Sequence, residues 1–250
     1  MARRASTAGE QRAPLSKERV LRAALDLADE GGIDALTMRG LAQAVGVEAM
    51  SLYYYFPNKD DILRGITDLV ISEVDVPSGE TNWKTAIRKS VTSYHDALAR
   101  HPWATSLMIS GMGPAHLRYN DALLRRLGES GLSPELTHHA YHALESHVVG
   151  SRLWAAGIGT AMKKNADAIQ RFIRDLPVKE YPHFAEHVQQ HVTKSVRASG
   201  KSEFEFGLDL ILDGLERLRD GGSRRSGSKR PRGRTTRLSP RHKERATPRP

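Results

Sequence analysis

Tyr53, Tyr54, Tyr55 and Phe56 stand consecutively in this 250-residue chain and are followed by Pro57, Asn58 and Lys59. A globular protein normally hides rings of this size, although each phenol also carries a hydroxyl that can donate or accept a hydrogen bond. Burial of all four rings is excluded, because a helix of about two turns points adjacent side chains in every direction. Some of them must therefore face outwards, on an element held in place by others.

Those other elements are legible on either side. Met38, Leu41, Ala42 and Val45 fall on one helical face, Gly46 sits where the chain must reverse, and Val47 can plug the gap before a second short helix. Upstream, Val20, Ala23, Ala24, Leu27 and Ala28 predict an amphipathic helix over 17–30, stopped by Gly31 and Gly32. Downstream, Pro57 breaks the aromatic segment and Asn58 can cap a helix over 59–74 whose stripe is Ile62, Leu63, Ile66, Leu69 and Val70. Two short helices about a Gly-centred turn, braced by a third, are the pattern of a DNA-reading helix-turn-helix.

Residues 16–74 resemble the amino-terminal DNA-binding domain of the tetracycline-repressor (TetR) family of bacterial transcription regulators. The resemblance rests on Ala23-Ala24, Leu27, Gly31-Gly32-Ile33, Leu36-Thr37-Met38-Arg39, Leu41-Ala42, Val45-Gly46-Val47, Ser51-Leu52-Tyr53-Tyr54-Tyr55-Phe56 and Asn58-Lys59-Asp60. It fixes spacing over some sixty residues and covers about the first quarter of the chain. It implies an all-α protein: a three-helix DNA-binding domain followed by a larger helical ligand-binding and dimerisation domain. It also implies a bacterial, cytoplasmic, nucleoid-associated homodimer bound to a palindromic operator in double-stranded DNA and answering to a small-molecule effector.

On DNA, a recognition helix offers its amino-terminal and outward side chains to base edges in the major groove, so Glu48, Ala49, Met50, Ser51 and Tyr54 are the candidate readers. Ala49 and Met50 suit a thymine methyl, which predicts thymine in the half-site. By the resemblance, Tyr53 and Lys59 grip phosphates, with Thr37 and Tyr55 beside them; Arg39 is aimed at a guanine or the backbone. Leu52 and Phe56 read equally as core.

Beyond Asp75-Val76-Pro77-Ser78-Gly79 the chain stays helical, and no strand pattern competes. Trp83, Ile87, Val91, Tyr94 and Leu98 predict a helix ending at His101-Pro102, and Trp103–Ser110 is a short apolar segment. Leu117, Leu123, Leu124 and Leu127 predict another helix, stopped by Gly128 and Gly131. Ser133-Pro134 opens a helix to about 156. Further helices follow over 165–174 and 182–198, then one over 203–219 carrying Phe204, Leu208, Ile211, Leu215 and Leu218. Segments 134–156 and 203–219 are the candidate dimer helices, with Gly150, Gly207 and Gly214 permitting close approach. Candidate effector contacts are Trp83, Tyr94, Trp103, Met108, Met112, Tyr119, His142, His147 and Trp154; the same residue types at helical spacing also build plain cores. The helix at 59–74 is the expected relay to the reading head.

Net charge is +9, but residues 221–250 hold eleven Lys or Arg against one acid, leaving 27 bases and 28 acids in the first 220 residues. The basic stretch lacks large apolar residues, so it is expected to be a disordered tail that adds sequence-independent phosphate affinity or merely solvates. With residues 1–15 as a flexible arm, the domains read 16–74, 83–220 and 221–250. The chain has no cysteine, which excludes disulfides and thiolate metal sites. No apolar run spans a bilayer, and MARRASTAGEQR has no export signal, so no membrane partner is expected.

His138 and His142, and His183, His187 and His191, recur every four residues; without HExxH or aligned carboxylates they read as polar helix faces, and neither metal nor cofactor is expected. No nucleophile elbow, phosphate-cradling loop or paired acids point to catalysis, so an enzyme is not expected. A repressor is favoured over an activator of the same family, a low-specificity DNA-compacting protein working through the tail, or an interaction module with an idle helix-turn-helix.

Overall fold

The computed structural model describes residues 14–78, 82–108, 112–188 and 202–227, whose regular structure is entirely helical. Three helices form a small head: α1 (Lys17–Gly31), α2 (Met38–Val45) and α3 (Ala49–Tyr53). Ser16 caps α1 by accepting the Arg19 N–H at 3.2 Å, and Thr37 caps α2 by accepting the Gly40 N–H at 3.0 Å. α2 ends on Gly46 at φ 72°, the left-handed region that disfavours a side chain. There the N–H groups of Gly46 and Val47 donate to the Gln43 and Ala42 carbonyls at 3.1 and 2.9 Å, satisfying groups the helix end leaves open.

α4 (Lys59–Ser72) starts at Asn58, whose Oδ1 accepts the Asp61 N–H at 2.9 Å. It serves two cores. Ile62 and Ile66 close the head with Val20, Ala24, Leu36, Leu41, Val45 and Leu52, whereas Val70 and Ile71 belong to the core of the second domain. That domain comprises α5 (Trp83–Arg100), a 3-10 turn (Pro102–Leu107), α6 (Pro114–Glu129), α7 (Pro134–Arg174), α8 (Pro182–His187) and α9 (Glu203–Gly227). α9 seats Phe204, Leu208, Leu212 and Leu215 against α5 and α7. Lys84 of α5 reaches Asp213 at 2.5 Å and Glu216 at 2.8 Å, and Arg88 pairs with Asp209. Those hydrogen bonds raise the Lys84 pKa and lower that of Asp213.

Several expected boundaries move. The helices expected over 134–156 and 165–174 are one element of 41 residues. Gly157 and Gly159 do not end it, since an isolated glycine costs a helix only about 1 kcal/mol and no proline intervenes. α3 has five residues rather than two turns, so Tyr54, Tyr55 and Phe56 lie at and beyond its end. α9 runs to Gly227, seven residues into the segment assigned to the tail. Of the helix expected over 182–198, Pro182–His187 is seen, while 189–198, including His191, lies outside the described residues. The arm up to residue 13 and the tail over 228–250 lie outside them too.

Candidate nucleic-acid interface and effector core

The head turns one apolar side chain of α3 inwards and leaves the rest out. Leu52 is fully buried, and around it Met50 is 77%, Tyr53 43% and Tyr54 87% exposed. Glu48, Ser51, Thr37 and Arg39 are also exposed, while Ala49 and Lys59 are half-buried. Met50 and Tyr54, four residues apart, therefore share an outward face of chain whose inner face is pinned by Leu52 and Phe56. The turn is braced from α1, where Arg19 donates to the Val45 carbonyl at 2.9 Å. Lys17 lies 5.9 Å from the Phe56 ring centre. Two expected contacts are spent at home. Tyr55 is half-buried and donates its hydroxyl to the Leu15 carbonyl at 2.9 Å, which ties down the end of the arm. Thr37 already uses its hydroxyl oxygen as the α2 cap.

The second domain gathers some of the expected effector contacts and disperses others. Tyr94, Tyr119, Met108 and Trp83 are buried, the Tyr94 and Tyr119 ring centres being 5.1 Å apart. Trp83 lies under Arg219, 5.5 Å away. Trp103 packs at the edge of both cores and donates its indole N–H to Asp29 of α1 at 2.7 Å. His147 packs on Phe204 and donates Nε2–H to its carbonyl at 2.8 Å. Met112, Trp154 and His142 face solvent, Trp154 at 73% exposure, so as single-chain pocket residues they are displaced. His138 and His142 stack edge to face at 4.6 Å, and among the described residues no group of three or more His, Asp or Glu is placed to hold a metal.

The residue types chosen from sequence included Tyr94 and Tyr119 but missed the rest of the polar interior. The Tyr94 hydroxyl, His116 Nδ1, Asn120 Oδ1 and Glu145 Oε1 are buried without a hydrogen-bond partner. Burial alone pushes the Glu145 carboxyl up to about 7. Burial first, then Glu145, raises the pKa of Tyr94, Tyr119 and Tyr141, so all four groups lie within electrostatic reach. The available signal was register: Tyr141 and Glu145 share the helical face of Leu144 and Val148, where an acid is out of place.

Head and second domain are joined at two polar points. Asp68 of α4 accepts the N–H groups of Ala115 and His116 at 2.8 and 3.1 Å, and a side chain at Gly113 would collide with it. His101 faces Asp29 of α1 at 2.7 Å and Glu73, at the end of α4, at 3.2 Å; Arg100 holds Glu73 at 2.7 Å. These contacts tie α6 and the His101 turn to α4 and α1.

Residues 20–66 match the family described as bacterial regulatory proteins, tetR family, and residues 76–219 the one described as tetracyclin repressor-like, C-terminal domain. The tetracycline repressor protein class D of Escherichia coli is 30% identical over 209 residues, 82% of this chain and 90% of that protein. The HTH-type transcriptional repressor DrrR1 of Streptomyces coeruleorubidus is 29% identical, over 82% of this chain and 78% of its own. The TetR family protein ActR of Streptomyces coelicolor, solved in complex with actinorhodin, superposes with a TM-score of 0.68 at 27% identity, covering 83% of this chain and 99% of that one.

Proposed function

The chain belongs to the tetracycline-repressor family of transcription regulators, and from that premise we propose that it is a ligand-released repressor that binds a palindromic operator as a homodimer. The observation that carries this reading is the outward pair Met50 and Tyr54 on a buried Leu52, with Tyr54 87% exposed and steadied by the edge of the Tyr55 ring at 5.3 Å. Met50 meets a thymine methyl, Tyr54 and Ser51 touch base edges, and Tyr53 and Lys59 hold phosphates. Arg39 and Glu48, both exposed, flank them.

Two-fold symmetry is what presents two heads to successive major grooves. Leu153 and Trp154 of α7 and Phe206, Leu210 and Leu218 of α9 are at least half exposed, more apolar surface than isolated side chains leave. Open space beside Gly150, Gly157 and Gly214 lets a partner's helices come close. We assign this face to the dimer, which brings Trp154 and Met112 back within reach of a shared site. The effector enters the 83–219 domain and acts by its different affinity for two arrangements of α6 and α4; ActR, solved in complex with actinorhodin, is a protein of this fold that takes a small molecule. No helix among the described residues is long and apolar enough to cross a membrane, and the proposed place of work is the cytoplasm.

Selection from a random duplex pool at near-physiological salt, with the full chain and with one ending at Gly227, tests the reading. One palindrome should emerge from both, be lost with Tyr54→Ala, and show the steeper salt dependence in the full chain. Sedimentation should give a dimer that Phe206→Asp splits. Binding of any duplex equally, abolished by removing 228–250, would instead establish a compacting protein working through its tail.

A further inference from the structure

Between α5, α6 and α7 the chain builds a polar interior that it does not itself satisfy. A buried hydrogen-bonding group without a partner destabilises the fold, and here the Tyr94 hydroxyl, Asn120 Oδ1 and Glu145 Oε1 come from three adjacent helices. Ser90, beside Tyr119, already gives its proton to the Asp75 carbonyl at 2.6 Å, so it offers Tyr119 only an acceptor.

Resting on the reading of a ligand-released regulator, we propose that this interior binds an organic cation: an aromatic amine whose ammonium group lies against Glu145 and the rings of Tyr94, Tyr119 and Tyr141.

The inventory of groups selects that chemistry. A carboxylate only accepts hydrogen bonds, and a phenol can accept as well as donate, so together they suit N–H donors. Ring faces attract a cation, the more so out of water. Among the described residues, no basic group counters the effect of burial on the Glu145 carboxyl. Arg152, further along α7, acts on His95 instead, and burial favours the neutral form of the His116 imidazole. The titratable groups facing Glu145 are the phenols of Tyr94 from α5, Tyr119 from α6 and Tyr141 one turn earlier on α7. An anion would meet the carboxylate, and a neutral apolar guest would leave Glu145 and the Tyr94 hydroxyl unmet. A ligand cation gives the buried acid its counter-charge, which is the condition under which a buried charge is tolerated. The consequence reaches the head by a short route: Asn120 lies one helical turn from His116, whose N–H is held by Asp68 of α4.

Calorimetry on the full-length protein without DNA tests this with three ligands of one shape: 2-(1-naphthyl)ethylamine, 2-(1-naphthyl)ethanol and 1-naphthylacetate, at pH 6 and pH 8. The amine should bind at least about tenfold more tightly than either analogue at pH 8, and should lose most of that margin at pH 6 as Glu145 takes up its proton. Glu145→Gln should abolish both margin and pH dependence while leaving the circular dichroism spectrum and the selected operator unchanged. Tyr94→Phe should weaken the amine severalfold and keep the pH dependence. Equal or tighter binding of the alcohol, a margin that survives in Glu145→Gln, or no saturable binding of any of the three would overturn the proposal. Operator selection decides the regulator reading independently: an enriched palindrome without a cation margin sinks only the present inference.

Discussion

Tyr54, at the end of α3 in the head, is 87% exposed and Tyr94, within α5 of the second domain, is wholly buried, although fully buried leucine or valine lies close by in sequence to each. Their elements explain the difference. α3 has five residues, enough to bury one side chain, whereas α5 has eighteen and offers a continuous inward stripe from Trp83 to Leu98. Polarity differs in the same direction. Among the described residues, no buried side-chain polar atom before Tyr94 lacks a hydrogen-bond partner; Tyr94, His116, Asn120 and Glu145 all carry one that does. The head is a finished solid with its unspent chemistry outside, and the second domain keeps its unspent chemistry inside. A reader of DNA needs a rigid outer surface, and a receptor for a small molecule needs an unsatisfied interior.

The sharpest way to break that contrast is inside the head. Leu52→Ala should cost about 2–5 kcal/mol in urea unfolding by opening a cavity, and operator binding should go with it. Tyr54→Ala, two positions on, should change stability by no more than about 0.5 kcal/mol yet weaken operator binding by about 1–3 kcal/mol in a gel-shift titration. Equal effects of the two on stability would mean that Tyr54 is structural.

Next in size is the pH response of the second domain. Glu145 has its folded pKa raised from 4.5 to about 7, so the folded protein binds the extra proton in between. Its contribution is therefore fully present below about pH 4.5 and is lost as pH rises through 7, by up to about 3 kcal/mol. Thermal melting of Glu145→Gln should lack this decline, and an unchanged decline would move the buried charge elsewhere.

Asp68→Asn tests the link between the regions. Replacing the carboxylate that accepts from Ala115 and His116 should cost about 1–2 kcal/mol of stability and should make operator affinity less responsive to ligand, read as the ratio of affinities with and without it. The smallest effect is expected from Tyr55→Phe, which removes the hydroxyl held by Leu15. Stability should fall by about 1 kcal/mol with little change in operator affinity; a loss confined to affinity would return Tyr55 to the DNA-contacting set.

Much of the head is legible from the chain because its determinants are local. Ser16, Thr37 and Asn58 cap the helices that follow them, and Gly32 and Gly46 take the positive φ that stops the ones before. Gly46 and Val47 close the turn with carbonyls three to five residues back. The second domain yields a helix start by the same logic at Ser133, but not its site. Trp154 and Met112 resemble Tyr94 and Met108 in type, yet the first pair is exposed and the second buried. The register of Glu145 puts an acid on the face of Leu144 and Val148, but what closes over it is seen only when α5 and α6 are in place.

Sequence alone determined where most helices begin, which stretch must stay on the surface, and that the net charge resides in the last thirty residues, because each depends on neighbours within about a turn or on composition. Tertiary structure decided that 134–174 is one rod, that Tyr55 turns back to Leu15, and that Tyr94, Tyr119 and Glu145 share one interior. Burial belongs to the space between helices, and residues 94, 119 and 145 meet only through the angles at which α5, α6 and α7 cross.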